Sequence, residues 1–124
     1  RTHLVAMLDS LEYIRRSGRV SWARASLGTL LQIKPFISLK DGEVLRFGEA
    51  RTRRKGIERL YASLKKLGSL ERLAILHTNA ENEARQMLTE FTQQVKTQSL
   101  VVNVTSIIGT HVGPNALGFV AVVE

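Results

Sequence analysis

The chain has 124 residues, 44% hydrophobic and 23% charged, which is the size and composition of one ordinary globular domain and excludes disordered, collagen-like and fibrous classes. It has no cysteine, so disulfides, thiolate metal sites and a cysteine nucleophile are excluded, and its apolar runs fall far short of the roughly 20 residues that a membrane-spanning helix needs. The net charge of +7 is lopsided: residues 1–66 hold 15 of the 18 Lys and Arg but only 6 of the 11 Asp and Glu, so the first half should attract phosphates, acidic partners or anionic ligands.

The chain has no signal-peptide layout, and the lack of cysteine leads us to expect a cytoplasmic protein; it also lacks an initiator methionine, from which we expect that it begins inside a longer polypeptide. From Leu4 the apolar residues Leu4, Leu8, Leu11 and Ile14 recur every three or four positions and predict a first helix that Gly18 stops. SWARASLGTLL predicts a second, short helix, with Ser21 as cap. KPFISL and EVLRFGEA flank Asp41-Gly42, a dipeptide suited to the positive backbone angles of a tight hairpin, and predict two antiparallel strands.

TRRKGIERLYASLKKLG predicts a third helix between a Thr52 cap and a Gly68 stop, with Ile57, Leu60, Tyr61, Leu64 and Leu67 on its apolar side. LAILHT reads as a short buried strand. NAENEARQMLTEFTQQV predicts a fourth helix behind an Asn79 cap, with Ala84, Met87, Leu88, Phe91 and Val95 on one stripe. LVVNVTSII and LGFVAVVE, rich in β-branched residues, predict two final strands joined by the loop GTHVGPNALG. Helices and strands in this order argue one α/β domain, α+β in type, over residues 1–124. It would be a two-layer sandwich with a mixed, largely antiparallel sheet and helices packed on one face. The other face should be polar or covered by a second domain.

Three groups of residues bear on function. Arg51, Arg53, Arg54, Lys55 and Arg59 crowd the start of the third helix; they suit either a solvated helix face or the docking of an anion or acidic partner. Arg15, Arg16, Arg19 and Arg24 surround the Gly18 step, where backbone amides at a helix start can hold phosphate. The histidines His3, His77 and His111 are scattered and form no catalytic or metal-ligating pattern. His77 reads as a structural histidine at a strand end. His111 stands in a glycine-rich loop, which serves equally a plain turn and a displayed binding group. The charge leaves a nucleic-acid-binding module as an alternative, although few aromatics are present for stacking. An enzyme using His111 would need a second catalytic partner, which the sequence does not supply.

LEYIRRSGRVSWARASLGTLLQIKPFISLKDGEVLRFGEARTRRKGIERL resembles the DegV family, in which a Leu-x-Tyr-Leu segment, a Gly-Gly-Arg step, an Ile-Lys-Pro strand, an Asp-Gly turn and an Arg-rich helix follow in that order. ILHTNAENEA and GTHVGPNALG resemble the family's His-containing strand and its His-Val-Gly-Pro-Gly loop. The resemblance implies the C-terminal domain of a fatty-acid-binding carrier without catalysis, cofactor or metal of its own. Such a carrier presents a long-chain fatty acid to a partner kinase that forms an acyl phosphate. It further implies an N-terminal domain, absent here, whose hydroxyl side chains anchor the carboxylate. His111 and Gly113 would then lie near that carboxylate, and Arg19, Arg51, Arg53 and Arg54 would face the kinase. Leu27, Leu30, Leu31 and Ile33 would be core or tunnel lining. Two positions depart from the family pattern: Ser17 replaces a glycine, and Asn115 stands where glycine is usual, asparagine being the next-best occupant of a left-handed position.

Overall fold

A computed structural model of the chain describes residues 1–17, 33–104 and 112–124. The elements run β1 (Thr2–Met7), α1 (Glu12–Ser17), β2 (Lys34–Lys40), β3 (Glu43–Ala50), α2 (Arg53–Lys66), β4 (Leu70–His77), α3 (Glu81–Phe91), a 3-10 turn (Thr92–Gln94), β5 (Val95–Asn103) and β6 (Leu117–Val123). The expected second helix, and the expected strand residues beyond Val104, lie outside the described residues.

The six strands form one sheet in the order β3-β2-β1-β6-β4-β5. Every neighbouring pair is antiparallel except β4 and β5, which are parallel and are joined by α3 as a crossover. This is the mixed, largely antiparallel α/β sheet expected from the sequence. The hairpin forms as Asp41-Gly42 requires: φ is 51° at Asp41 and 78° at Gly42, and Lys40 pairs with Glu43 across the two-residue turn.

One element differs from the reading of the sequence. Thr2–Met7 is a strand, and the helix begins only at Glu12. Leu4, Leu8 and Leu11 do fit a helical period, but β1 lies between β2 and β6 and is flanked by backbone partners on both edges. Its residues serve both faces, so no clean alternation marks it as a strand, and long-range pairing decides its conformation. The Ser10 hydroxyl, which accepts from the Glu12 amide at 3.0 Å, helps start the helix there.

The two long helices cover one face of the sheet. Leu60 and Leu64 of α2 and Ala84, Met87 and Phe91 of α3 pack on Met7, Phe36, Leu73, Ile75 and Phe119. Tyr61 and Phe91 join the helices edge to face, with ring centroids 5.4 Å apart. Ile14 of the short α1, with Leu11 just before it, instead joins a separate cluster with Leu8, Ile37, Ala116 and Ala6. Ala6 and Ile37 alternate with Met7 and Phe36, so this cluster belongs to the opposite side of the sheet.

Thr52 caps α2 as expected, in extended conformation with Oγ1 accepting from the Lys55 amide at 3.2 Å, and Gly68 follows the helix at φ 76°. Thr52→Ala is expected to lower stability by about 1 kcal/mol, read as a shift of the unfolding midpoint. Asn79 does not cap α3. It takes a left-handed conformation at φ 50°, Ala80 holds the cap position, and the Ala80 amide donates to His77 Nδ1 at 3.2 Å. The helix also ends earlier than its apolar stripe suggested, because Val95 has already joined β5.

Candidate functional site

Strand alternation places Leu4 and Ala6 of β1, Gly118 of β6, Leu76 of β4 and Val102 of β5 on the side of the sheet away from α2 and α3. With Leu8, Ile37, Val112 and Ala116 these residues line an apolar cavity of about 390 Å³. That volume lies in the range of about 300–1,000 Å³ usual for small-molecule sites. The same side of the sheet continues outward through Leu100, which is 38% exposed, and through the half-buried Val120 and Val122. Such a surface suits a hydrocarbon and offers nothing for a charged substrate along its floor.

Polar groups gather at one end of the cavity, where His77, Thr78 and Asn103 close the carboxyl ends of β4 and β5. Thr78 is buried and fully engaged. Its Oγ1 donates to the Gly113 carbonyl at 2.6 Å and accepts from the Ala116 amide at 2.9 Å. Its backbone amide donates to the Ala116 carbonyl, and its carbonyl accepts from the Asn115 amide at 2.6 Å. One threonine thus fixes the Gly113–Ala116 turn that leads into β6. Gly113 has φ 81° and Asn115 has φ 64°, so asparagine does occupy a left-handed position where the family pattern has glycine.

On its other side the turn meets Arg53. Nη1 donates to the Asn115 carbonyl at 2.7 Å and to Asp9 Oδ1 at 2.9 Å, while Nε and Nη2 hold the Glu83 carboxylate at 2.9 and 2.6 Å. The hydrogen bond that the guanidinium donates to Glu83 is the largest influence on it and raises its proton affinity above the usual value. Partial burial opposes this, and the charges of Glu83 and Asp9 add to it. Lys34 joins the group through the Asp9 carbonyl at 2.8 Å.

The residues singled out from the sequence fall in different places. Gly113 lies in the turn at the cavity, its carbonyl held by Thr78. His111 and Arg19 lie outside the described residues, as do Leu27, Leu30 and Leu31. Arg51 and Arg54 are exposed at the start of α2, with Arg54 reaching Glu58 at 3.5 Å. Arg53, between them, points inward to the bonds just described. Among the described residues no group of three His, Cys, Asp or Glu could hold a metal ion, and no helix is long and apolar enough to cross a membrane. Thr78 and Gly118 gave no signal in the sequence. A threonine after a strand and a glycine within one acquire meaning only when their neighbours across the sheet are known.

A family model described as "Uncharacterised protein, DegV family" matches residues 1–124. Protein DegV of Bacillus subtilis is 34% identical over 116 residues, covering 90% of this chain and 41% of that protein. Among solved structures, a fatty acid binding DegV family protein from Streptococcus agalactiae superposes with a TM-score of 0.82 at 26% identity, covering 99% of this chain and 45% of that one. DegV, a fatty acid binding protein from Bacillus subtilis, superposes with a TM-score of 0.76 at 32% identity over the same shares. The chain therefore spans less than half the length of these relatives.

Proposed function

The chain belongs to the DegV family, and from that premise we propose that it forms the C-terminal domain of a fatty-acid carrier that presents its bound acid to a partner kinase. The observation that carries this reading is the apolar cavity on the sheet face left uncovered by the two long helices. An acyl chain lies along that face, and an N-terminal domain of the same protein closes over it and anchors the carboxylate with hydroxyl side chains. His111, two residues before Gly113, donates to the carboxylate from an imidazole nitrogen. The glycine lets the backbone pass close by.

Phosphorylation of the carboxyl group to an acyl phosphate is the kinase's chemistry, so the carrier needs no catalytic group and works in the cytoplasm beside the kinase. Arg51 and Arg54, with Arg19, offer the cationic docking surface. Arg53 spends its guanidinium on Asp9 and Glu83, which leaves the docking role to its neighbours.

Mass spectrometry of the full-length protein after mild extraction tests the reading. Long-chain fatty acid is expected in near-stoichiometric amount, and the absence of any co-purified or exchangeable fatty acid overturns it. His111→Ala should weaken fatty-acid retention roughly tenfold, the scale of one charge-assisted hydrogen bond, and reduce acyl-phosphate formation while the fold stays intact. Unchanged lipid content with unchanged phosphorylation would make His111 an ordinary turn residue.

A further inference from the structure

We propose that Arg53 is a positioning residue of the apolar cavity: through the Asn115 carbonyl it holds the Gly113–Ala116 turn in place as one wall, and ligand retention depends on that hold. The second half of this statement rests on the fatty-acid reading above.

The turn is an unusual piece of backbone, with two residues of positive φ within three positions. A segment of this kind keeps its shape only when its surroundings over-determine it. Thr78 supplies the hold from the β4 side, through bonds to Gly113, Asn115 and Ala116. Arg53 supplies it from the helix side, at the Asn115 carbonyl. Val112 and Ala116, immediately flanking the clamped residues, line the cavity.

Arg53 is itself locked. Glu83 at the start of α3 takes two of its nitrogens, and Asp9 after β1 takes the third together with Asn115. The planar guanidinium therefore ties the starts of both long helices and the β1–α1 connection to the cavity wall. A lysine ammonium lacks the fork geometry to reach Glu83, Asp9 and Asn115 together. Removing the cation leaves the two carboxylates without their shared partner and the turn without its second support.

The experiment uses the full-length protein and its Arg53→Gln, Arg53→Lys and Arg85→Gln variants, Arg85 being an exposed arginine on α3 away from the cavity. Two rates are measured: dissociation of cis-parinaric acid, a fluorescent fatty acid, and deuterium exchange at the amides of Asn115 and Ala116, both of which Thr78 accepts. In Arg53→Gln both rates should rise roughly tenfold, the scale of a lost hydrogen bond to a charged group, while amides of Leu73 to Ile75 in β4 keep their protection. Arg53→Lys should fall between this variant and the parent, and Arg85→Gln should match the parent. Unchanged exchange at Asn115 and Ala116 in a folded Arg53→Gln protein overturns the clamp. Faster exchange with probe dissociation within about twofold of the parent overturns the link to ligand retention. If Arg53→Gln does not fold, Arg53→Lys decides on the same two rates. If the parent holds no probe, the carrier reading falls and the exchange rates alone decide the clamp.

Discussion

Gly118→Ala is expected to destabilise the protein by about 3 kcal/mol or more, at the upper end of overpacking effects, because the added methyl meets backbone. A Cβ at Gly118 would lie 2.5 Å from the Val5 carbonyl oxygen and 2.7 Å from Ala6 Cα. Those atoms belong to β1, which pairs with β6 over six successive positions in the middle of the sheet. Neither strand can yield alone, since β6 is also paired with β4 and β1 with β2. Gly56 provides the contrast. A Cβ there would come 2.1 Å from Met7 Sδ, a thioether that can turn about its side-chain bonds, and alanine is favoured over glycine in a helix by about 1 kcal/mol. Gly56→Ala should therefore cost clearly less than Gly118→Ala. Urea unfolding of both variants checks the order, and equal midpoints would refute it. Gly118 also forms part of the cavity floor, so on the fatty-acid reading proposed above folded Gly118→Ala protein should hold less lipid.

How much of this was legible in advance depends on how far apart the partners are. The Asp41-Gly42 hairpin, the Thr52 cap and the Gly68 stop are local chemistry, and they formed where the residues said they would. Asn115 was legible for the same reason, since a left-handed position is a property of one residue and its neighbours. The strand β1 was misread because its conformation is set by partners 29 and more residues away, while its own spacing suits a helix. Arg53 looked like its neighbours Arg51 and Arg54 in a run of cations. What turns it inward is Glu83, 30 residues on, with Asp9 and Asn115 at separations of 44 and 62. The cavity was invisible for a related reason: it takes alternate residues from five strands, and which alternates face it follows from the registers alone.

Gly113→Ala is expected to cost roughly 3 kcal/mol, from two separable causes. The residue sits at φ 81°, where a non-glycine residue costs about 1–2 kcal/mol. The added methyl would also lie 2.4 Å from Tyr13 Cδ2 and 2.7 Å from Cγ, on a ring carried by α1, and overpacking of this kind costs about 1–3 kcal/mol. A double-mutant cycle with Tyr13→Ala divides the two. Removing the ring takes away the two closest contacts and leaves only Tyr13 Cβ, at 3.1 Å, so Gly113→Ala should cost mainly the backbone term, about 1–2 kcal/mol, in the Tyr13→Ala background. An unchanged cost would place the whole effect in the backbone angle, and no cost in either background would mean that the turn is held less tightly than its bonds to Thr78 and Arg53 imply. The result also bears on function. The turn borders the cavity through Val112 and Ala116, and Ile14 of α1 packs in the same cluster as Ala116, so the Tyr13–Gly113 contact sets how closely the helix approaches the cavity wall. On the fatty-acid reading proposed above, Gly113→Ala protein that still folds should lose bound fatty acid, and Tyr13→Ala should restore part of it.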